Sequence, residues 1–453
     1  PTGLGSTDSP ITELQAKLAA TDVRGATEVY QNTLKSMLGE PYFRGLVNDI
    51  NANKLNITEV FRNSFERFGS SSELTLIEGV MGLFDGLGNT EIGSTASIAK
   101  HLKTPIVLIV DANGQAASIA ALIKGFRDHD PDIELAGVVL NKVNTSRHKE
   151  LLSDVLSKIE VKMLGCLPNN PDLKLSSKNL GLIPVKDIKN LELKIKIWAS
   201  MAESYLDLEI FEKFLSSPKS SSNSLEKYFF NKESKINLDP CPIAIAKDNA
   251  FHFLYPEIND CLKALNMPVL PWNLLGNERI PKEAKGVIIP GGFPEEYAQE
   301  ISECEISIKE IRNNFGKIPI YAECGGMLFL GETITADNKK KYSMAGILPI
   351  NAKKGLLKIG YRKLTGLEDS LIIKKGEIFM GHEFHKWELI PNKNQLIFKD
   401  DMKNPWEVKG WKTKIIKEGW SNKKFHASWM HLNWACNANI TKRLRKAALS
   451  TIK

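Results

Sequence analysis

Short apolar segments flanked by turn residues recur along this chain, and stretches long enough for a helix separate them. Continuous apolar strands of this kind are typical of parallel sheets that helices cover on both faces. The pattern therefore predicts an α/β fold. The predicted strands are Leu74–Ile77, Ile106–Val110, Val138–Leu140, Ile243–Ala246, Val287–Ile289 and Ile318–Tyr321.

A polar, serine-rich segment at residues 214–239 interrupts this alternation of strands and helices. Its weak hydrophobic pattern is typical of an interdomain linker. A chain of 453 residues also exceeds what one hydrophobic core usually holds. We therefore predict two α/β domains, at residues 1–213 and 240–453.

The composition is that of an ordinary globular protein, with 42% hydrophobic and 25% charged residues. No apolar stretch approaches the roughly 18 residues that a membrane span needs, and the first residues lack the pattern of a signal peptide. We therefore expect a cytoplasmic protein without a membrane partner. Its six cysteines are then expected to stay reduced, and their spacing does not resemble that of a zinc site.

The formal charge of +7 is modest for this length. A lysine-rich solvated surface explains it, and a field that attracts an anionic substrate is the alternative. Basic runs are not interleaved with aromatic residues, so we do not expect nucleic-acid binding. The sequence leaves the oligomeric state open, and a homo-oligomer is one of the options.

The segment YAECGGMLFLG at residues 321–331 predicts a nucleophile. An apolar strand leads into Cys324, two glycines follow, and the next apolar residues could open a helix, which is the context of an exposed nucleophile on a tight elbow. The backbone at Gly325 could bind an oxyanion, and the glycine turn that ends at Gly292 could supply a second donor. A small buried cysteine without a catalytic role is the alternative interpretation.

An attacking cysteine needs a nearby base that accepts its proton. Three histidines lie downstream of Cys324, namely His382, His385 and His431. The residues by themselves leave all three open as that base.

Polar residues follow several predicted strands in the first half of the chain. Glu78 ends the first predicted strand, and Asp85 lies in the glycine-rich loop after it. Asp111 ends the next strand, and Asn141 ends a further one. Open α/β sheets bind ligands at the carboxyl ends of their strands. Two carboxylates there would suit Mg²⁺, although such loops also occur without a metal. The Asn141–Lys142 pair is similar to the base-recognition loop of P-loop nucleotide-binding folds.

Ten motifs between about residues 47 and 435 together resemble the cobyrinic acid a,c-diamide synthase family. They follow the order of that family and are spread across about five-sixths of the chain, which makes the resemblance specific. The motifs are IEGVMGLFDG (77–86), PIVLIVDA (105–112), GVVLNKV (137–143), NLGLIP (179–184), IAIAKDNAFHFLYP (243–256), GVIIPGGFPEEYAQE (286–300), YAECGGMLFLGE (321–332), GYR (360–362), GHEFH (381–385) and ASWMHLNWA (427–435).

This resemblance implies a glutamine-hydrolysing carbon–nitrogen ligase of cobalamin biosynthesis. Its first domain would be a P-loop domain like that of dethiobiotin synthetase, and its second a class I (triad-type) glutamine amidotransferase domain. The enzyme would amidate the a- and c-acetate carboxylates of cobyrinate with ammonia from L-glutamine. ATP would be a substrate and Mg²⁺ a cofactor, so the implied partners are a cobyrinate-type corrinoid, L-glutamine and ATP.

In the second domain the resemblance implies that Cys324 is the nucleophile and His431 its general base and acid. The backbone at Gly292 and Gly325 would form the oxyanion site. The histidines of the GHEFH motif would then have structural or interface roles.

In the first domain the resemblance implies that Glu78 and Asp85 hold Mg²⁺ and phosphate. Asp111 and Asn141 would bind the nucleotide, with the Asn141 amide contacting adenine.

The first 46 residues depart from this family, because no GxxxxGK[ST] loop is found there or elsewhere in the chain. The lysine of that loop neutralises the β- and γ-phosphates. Residues 13–41 instead have the pattern of an amphipathic helical segment. We therefore expect an intact glutaminase half and a compromised or non-standard ATP half. The alternatives are a nickel-sirohydrochlorin a,c-diamide synthase and a ligase-dead or chimeric homologue that keeps the fold and the glutaminase half.

Overall fold

The structure is a computed structural model that describes residues 62, 65–66, 68–70, 72–79, 82–86, 89–173, 188–214, 238–392, 402–437 and 439–450. These residues fall into two compact units, which divide between residues 214 and 238. The atypical start predicted at residues 1–46 and nearly all of the predicted linker lie outside the described residues. The domain boundaries at 213 and 240 therefore stay predictions.

The first unit contains a three-stranded parallel sheet with helices between the strands. Its strands follow one another in the order β1-β2-β3, as expected for consecutive β-α-β units. Its elements are α1 (Thr95–Leu102), β1 (Ile106–Asp111), α2 (Ser118–Asp128), β2 (Leu135–Asn141), α3 (Ser146–Ser157), β3 (Met163–Leu167), α4 (Leu191–Tyr205) and α5 (Leu208–Phe214).

Side chains from helices α2 and α3 form one core with the apolar residues of β2. Ile123 of α2 and Leu152 of α3 are fully buried in this core, beside Val138 and Leu140 of the central strand. Thr145 caps the start of helix α3, because its hydroxyl oxygen accepts a hydrogen bond from the backbone N–H of His148 at 3.2 Å. The sequence thus encodes both the apolar faces and the start of this helix.

The second unit is larger and contains two six-stranded sheets and one short ribbon of strands β5 and β8. Its elements are β4 (Ile243–Ala246), β5 (Phe251–Phe253), α6 (Pro256–Ala264), β6 (Val269–Trp272), β7 (Val287–Ile289), β8 (Gly291–Gly292), α7 (Ala298–Ser302), α8 (Glu305–Asn314), β9 (Ile320–Glu323), α9 (Gly325–Leu330), β10 (Thr333–Thr335), β11 (Lys341–Ser343), β12 (Ile350–Gly366), β13 (Ile378–Pro391), β14 (Trp406–Lys409), β15 (Ile416–Glu418), β16 (Trp420–Ser421), β17 (Phe425–Ser428) and α10 (Asn439–Leu449).

One of the two sheets has the strand order β16-β17-β9-β7-β4-β6. Every pair in it is parallel except β16 with β17, which is antiparallel. Strands β4, β7, β9 and β17 are buried along their whole length, so this sheet forms the centre of the unit. Adjacent strands β9 and β17 place their carboxyl ends side by side, with Glu323 opposite Ser428.

The other six-stranded sheet is built on a long antiparallel hairpin of β12 and β13. The apolar-run pattern did not predict this sheet, because many positions of β12 are lysines or half-exposed residues. A register shift between Lys354 and Lys358 further breaks the alternation of buried and exposed positions.

Two predicted strands need correction. Residues 74–79 form no strand in the described structure, so the strand predicted at Leu74–Ile77 is wrong. An apolar run becomes a strand only when a neighbour pairs with it, and none of the described strands does so here. The strand predicted at Ile318–Tyr321 begins two residues later, at Ile320, because Pro319 has no N–H to donate to a ladder.

None of the described helices is both long and apolar enough to cross a bilayer.

Candidate active site

Cys324 occupies a sharp turn between strand β9 and helix α9. Its backbone has φ 46° and ψ −107°, a conformation that a residue with a side chain rarely adopts. The N–H of Cys324 donates to the carbonyl of Ser428 at 2.7 Å, which ties the turn to the neighbouring strand. Strained turns of this kind are found at nucleophile elbows. The strand–turn–helix arrangement predicted around Cys324 is therefore present.

The glycines around this turn are required by close backbone contacts. A β-carbon on Gly326 would overlap the carbonyl oxygen of Ile289, and one on Gly325 would lie 2.7 Å from the ring of Pro294. A β-carbon on Gly292, whose φ is 158°, would overlap the carbonyl oxygen of Ala250. The turn after β9 and the turn after β7 thus lie so close together that neither leaves room for a β-carbon at these glycines. Gly292 and Gly325, the predicted oxyanion residues, are brought together.

His431 lies at the same edge of the sheet, three residues after the end of β17. Its ring rests against the backbone of Gly291, where an added β-carbon would come within 2.6 Å of Cε1. The ring nitrogen Nδ1 is 3.2 Å from Oε2 of Glu323, the residue directly before Cys324. Cys324 and His431 therefore lie at the same edge of the sheet, where the side chain of Glu323 contacts the ring of His431.

Glu323 was not among the residues predicted for the site. Its side chain is 2% exposed, and its second oxygen, Oε1, accepts hydrogen bonds from the hydroxyl of Tyr321 and from the N–H of Leu432 at 3.3 Å. With the His431 contact, both carboxylate oxygens of Glu323 are engaged. The only sign of this role in the sequence was the position of Glu323 directly before Cys324. That position does not show which histidine the carboxylate contacts.

The surroundings of Cys324 keep its thiol protonated in the resting protein. Burial raises the pKa of this thiol far above its usual range, and the negative charge of Glu295 raises it further. The N–H of Gly325 opposes this shift, while Glu323 and Glu383 add to it. Attack by the sulfur therefore requires a base that takes the proton as the new bond forms.

The two other candidate histidines have well-defined contacts. The ring of His382 stacks against that of His431, with centroids 4.9 Å apart, and its Nδ1 is 3.0 Å from the hydroxyl of Tyr255. The ring of His385 stacks on Trp429 at 3.7 Å, and its Nδ1 donates to the carbonyl of Trp387 at 2.7 Å. Each ring thus has a packing partner and a hydrogen-bond partner on Nδ1, as side chains with structural roles do.

In the first unit, Asp111 and Asn141 end adjacent parallel strands and are paired in register. The carboxylate of Asp111 is 2.7 Å from Nζ of Lys142 and accepts the N–H of Asn113 at 3.0 Å. Burial by itself would raise the pKa of Asp111, but the hydrogen bonds and the charge of Lys142 lower it overall. The two residues predicted to bind the nucleotide therefore lie together, and Lys142 of the Asn141–Lys142 pair hydrogen-bonds both of them.

The predicted metal ligands Glu78 and Asp85 lie on a loop before helix α1. One oxygen of Asp85 accepts the N–H of Gly82 at 3.0 Å, so the carboxylate closes a tight turn. The described residues include no group of three acidic, cysteine or histidine side chains that could hold a metal. Mg²⁺ commonly takes only one or two carboxylates and completes its shell with phosphate oxygens and water. By donor chemistry these two residues fit Mg²⁺ when it arrives with a nucleotide.

Comparison with known protein families defines the class of each part of the chain. Residues 242–438 match the CobB/CobQ-like glutamine amidotransferase domain, and residues 11–177 match an AAA domain. The second unit is therefore a glutamine amidotransferase domain, and the first belongs to the P-loop nucleotide-binding class although the chain has no Gly-Lys-Ser/Thr loop. The fold class expected from the sequence is confirmed.

Relatives that match most of the chain identify the family to which the whole protein belongs. Proteins named cobyrinate a,c-diamide synthase from Caldanaerobacter subterraneus subsp. tengcongensis and from Synechococcus sp. are each 34% identical to this chain, over 83% and 82% of it. The match covers 81% and 80% of those proteins. A relative of the same name from Listeria innocua is also 34% identical, over 85% of this chain and 84% of its own. The chain belongs to the cobyrinate a,c-diamide synthase family.

Proposed function

We propose that this protein is a glutamine-hydrolysing ligase that amidates the a- and c-acetate carboxylates of a cobyrinate-type corrinoid at the expense of ATP. The observation that carries the proposal is the elbow at Cys324, with His431 and Glu323 paired at 3.2 Å beside it. This grouping supplies a nucleophile, a base and an acid that orients the base. The names of the relatives, cobyrinate a,c-diamide synthase, indicate which substrate is amidated.

The Glu323 contact determines the tautomer of His431. A carboxylate accepts hydrogen bonds, so Nδ1 of the neutral ring carries the proton that it donates to Oε2. The other nitrogen, Nε2, is then unprotonated and able to act as a base. It takes the proton of the Cys324 thiol while the sulfur attacks the side-chain amide carbon of glutamine, and Glu323 stabilises the imidazolium that results.

The remaining steps of glutamine hydrolysis follow from these groups. The attack converts the amide oxygen into an oxyanion, which the backbone N–H groups at Gly292 and Gly325 would bind. When the intermediate collapses, the C–N bond breaks, and His431 returns its proton to the leaving nitrogen as ammonia departs. A γ-glutamyl thioester remains on Cys324. Water deprotonated by His431 then attacks the thioester, which releases glutamate and restores the thiol.

The first unit would activate the carboxylate that receives the ammonia. A carboxylate oxygen of the corrinoid attacks the γ-phosphorus of ATP and forms an acyl phosphate as ADP leaves. Ammonia then attacks the acyl carbon, phosphate departs, and the nitrogen loses a proton to give the amide. Asn141 and Asp111, at the carboxyl ends of their strands, would contact the nucleotide, because ligands bind open α/β sheets at that edge. Glu78 and Asp85 would hold Mg²⁺, which neutralises phosphate charge when bound.

Product formation by the full-length protein tests this function. The protein is incubated with cobyrinate, ATP, Mg²⁺ and L-glutamine, and mass spectrometry counts the carboxylates that have become amides. The proposal predicts a diamide, and nickel-sirohydrochlorin serves as the competing macrocycle. Absence of any amide with either macrocycle would overturn the ligase assignment.

Replacing glutamine with ammonium salts separates the two halves of the reaction. Cys324→Ala should lose amidation with glutamine and keep amidation with ammonia, because the thiol is needed only to release ammonia. Cys261→Ala, which removes a fully buried thiol of the same unit, is the matched control and should keep both activities. Loss of the ammonia-dependent reaction in Cys324→Ala would show that the thiol has another role.

A further inference from the structure

A carboxylate beside the candidate nucleophile has an oxygen without a partner. Glu295 lies three residues after Gly292, in the turn that approaches Gly325. Its Oε2 atom is buried and has no hydrogen-bond partner, while Trp387 hydrogen-bonds the carboxyl group. A buried polar atom that is left unpaired costs free energy. Such atoms are commonly retained where a ligand completes them.

Glu295 lies close enough to Cys324 to act on the thiol. After burial itself, the charge of Glu295 is the largest influence that raises the pKa of Cys324. The ring of Pro294, the residue before it, lies against Gly325, the residue after the nucleophile. Glu295 is therefore next to a residue that packs against the turn at Cys324, and its charge acts on the sulfur that a substrate would meet.

The two other glutamates whose charge acts on Cys324 are already engaged. Glu323 uses both of its oxygens, as described above. Glu383 accepts a hydrogen bond from Nε of Arg362 at 2.8 Å, and its other oxygen is 3.6 Å from Nε2 of His385. Among the described salt bridges, none includes Glu295. Of these three acids, Glu295 is the one with an oxygen available for a ligand.

We propose that Glu295 binds the α-ammonium group of the glutamine substrate and so selects L-glutamine among amides. This inference rests on the proposed function, because it assumes that glutamine is the amide that Cys324 attacks. An ammonium group carries N–H donors and a positive charge, so it supplies both the hydrogen bond and the charge that Oε2 lacks. The arrival of the ammonium also offsets the cost of keeping this carboxylate ionised in a buried position.

The test compares two ligands that differ only in the ammonium group. L-Glutamine and glutaramate, its analogue without the α-amino group, are titrated by calorimetry into the Cys324→Ala protein, which cannot turn them over. The same titrations are made with Cys324→Ala/Glu295→Gln and with Cys324→Ala/Glu296→Gln. Glu296 is the adjacent acid, so its variant makes the same change of charge one residue away. Thermal unfolding of each protein checks that it is folded.

We expect Glu295→Gln to weaken L-glutamine binding by about 10- to 100-fold, the usual effect of losing a charge-assisted hydrogen bond. Glutaramate binding should change by less than about twofold, so the ratio of the two affinities, which measures the preference for glutamine, falls. Glu296→Gln should preserve that preference. Equal losses for both ligands would mean that Glu295 contacts the carboxamide, and would overturn the proposal, as would no loss for either.

Failure of the proposed function has a different signature. If Cys324→Ala with Glu295 intact binds neither ligand, glutamine is not the substrate of this site, and both proposals fall. If L-glutamine binds that protein and the preference survives Glu295→Gln, only the role of Glu295 is overturned.

Discussion

His431 is paired with Glu323, an acid that lies 108 positions earlier in the chain and directly precedes Cys324. The residue two positions after His431, Asn433, does not supply this acid. Its side-chain oxygen accepts a hydrogen bond from the N–H of Ala435 at 3.0 Å and closes a short turn. Strand β9 thus supplies the acid that contacts the His431 ring. Glu323 and Cys324 are adjacent in sequence, so the geometry at the end of β9 sets the positions of both.

The first prediction concerns this pair. Glu323→Gln should lower kcat for glutamine hydrolysis by about 10²-fold or more, because an amide can donate to Nδ1 and so favour the tautomer with the proton on Nε2. The KM for glutamine should change little, since Glu323 acts through His431. Steady-state ammonia release measured from pH 6 to 10 checks both parameters.

Tyr321→Phe is the matched control for that variant. It removes a hydroxyl that donates to Oε1 of Glu323 and leaves the carboxylate facing His431. It should therefore lower kcat much less than Glu323→Gln does. Glu323→Asp should recover part of the loss. Equal rates for Glu323→Gln and the wild type would contradict the role of Glu323 in orienting the base.

A second prediction concerns the turn at Gly292. In Gly292→Ala the new methyl group would overlap the carbonyl oxygen of Ala250, so the turn must shift and its close packing against Gly325 is disturbed. We expect a loss of about 1–3 kcal/mol in the free energy of unfolding, which is usual for overpacking, together with loss of glutaminase activity. Urea denaturation and ammonia release measure the two effects.

Gly316→Ala provides the comparison for Gly292→Ala. Gly316 has φ 75°, but a β-carbon there would meet nothing within 4 Å. Its replacement should cost about 1 kcal/mol through backbone strain alone and leave glutaminase activity intact. Normal activity in Gly292→Ala would mean that the close approach of the two turns is not needed for catalysis.

A third prediction concerns stability and pH. Burial raises the pKa of Glu295 to about 7, a shift that Trp387 and the residue's own N–H oppose and that Glu296 and Asp337 increase. Between the ordinary carboxyl pKa and about 7, the native state binds more protons than the unfolded state. Its stability therefore falls as pH rises through that window. Glu295→Gln removes this dependence.

The expected result is a Tm for Glu295→Gln that exceeds the wild-type Tm at pH 8, by a margin that shrinks toward pH 5. Calorimetric melts of both proteins without ligand measure this margin. A margin that is constant with pH, or a lower Tm for the variant at pH 8, would contradict the buried, unpaired state of the carboxylate.

A fourth prediction concerns the first unit. Asp111→Ala and Asn141→Ala should each weaken ATP binding by about tenfold, because both side chains lie where the strands end and the nucleotide is proposed to bind. Glutamine binding to the second unit should not change. Asp128→Ala is a suitable control, since Asp128 also pairs with a cation, Arg127 at 2.6 Å, but lies at the end of helix α2. Unchanged ATP binding in both variants would contradict the nucleotide site.

The sequence was sufficient to locate the elbow. An apolar run followed by Cys324 and two glycines has few structural solutions, and the close contacts of Gly325 and Gly326 explain why glycine is needed there. The buried strands at Ile243–Ala246 and Val287–Ile289 were predicted with the bounds that the structure has. Continuous apolar runs of this kind identify the centre of a parallel sheet.

Other features depend on which strands pair and in what register, and these could not be predicted from the sequence. The contact between Glu323 and His431 follows from the register of β9 with β17, which places Glu323 opposite Ser428. The β12–β13 hairpin has many half-exposed positions, so no apolar pattern marked it. Glu295 has the same local sequence character as Glu296, and only the folded structure shows which of the two acids has a buried, unpaired oxygen.

The rate of ammonia release from L-glutamine by the wild type and by Cys324→Ala, measured side by side, tests the central claim most directly. The account predicts hydrolysis by the wild type and a rate at least about a thousandfold lower in the variant, because the thioester forms on the Cys324 sulfur. Hydrolysis that persists at the wild-type rate in Cys324→Ala would contradict it.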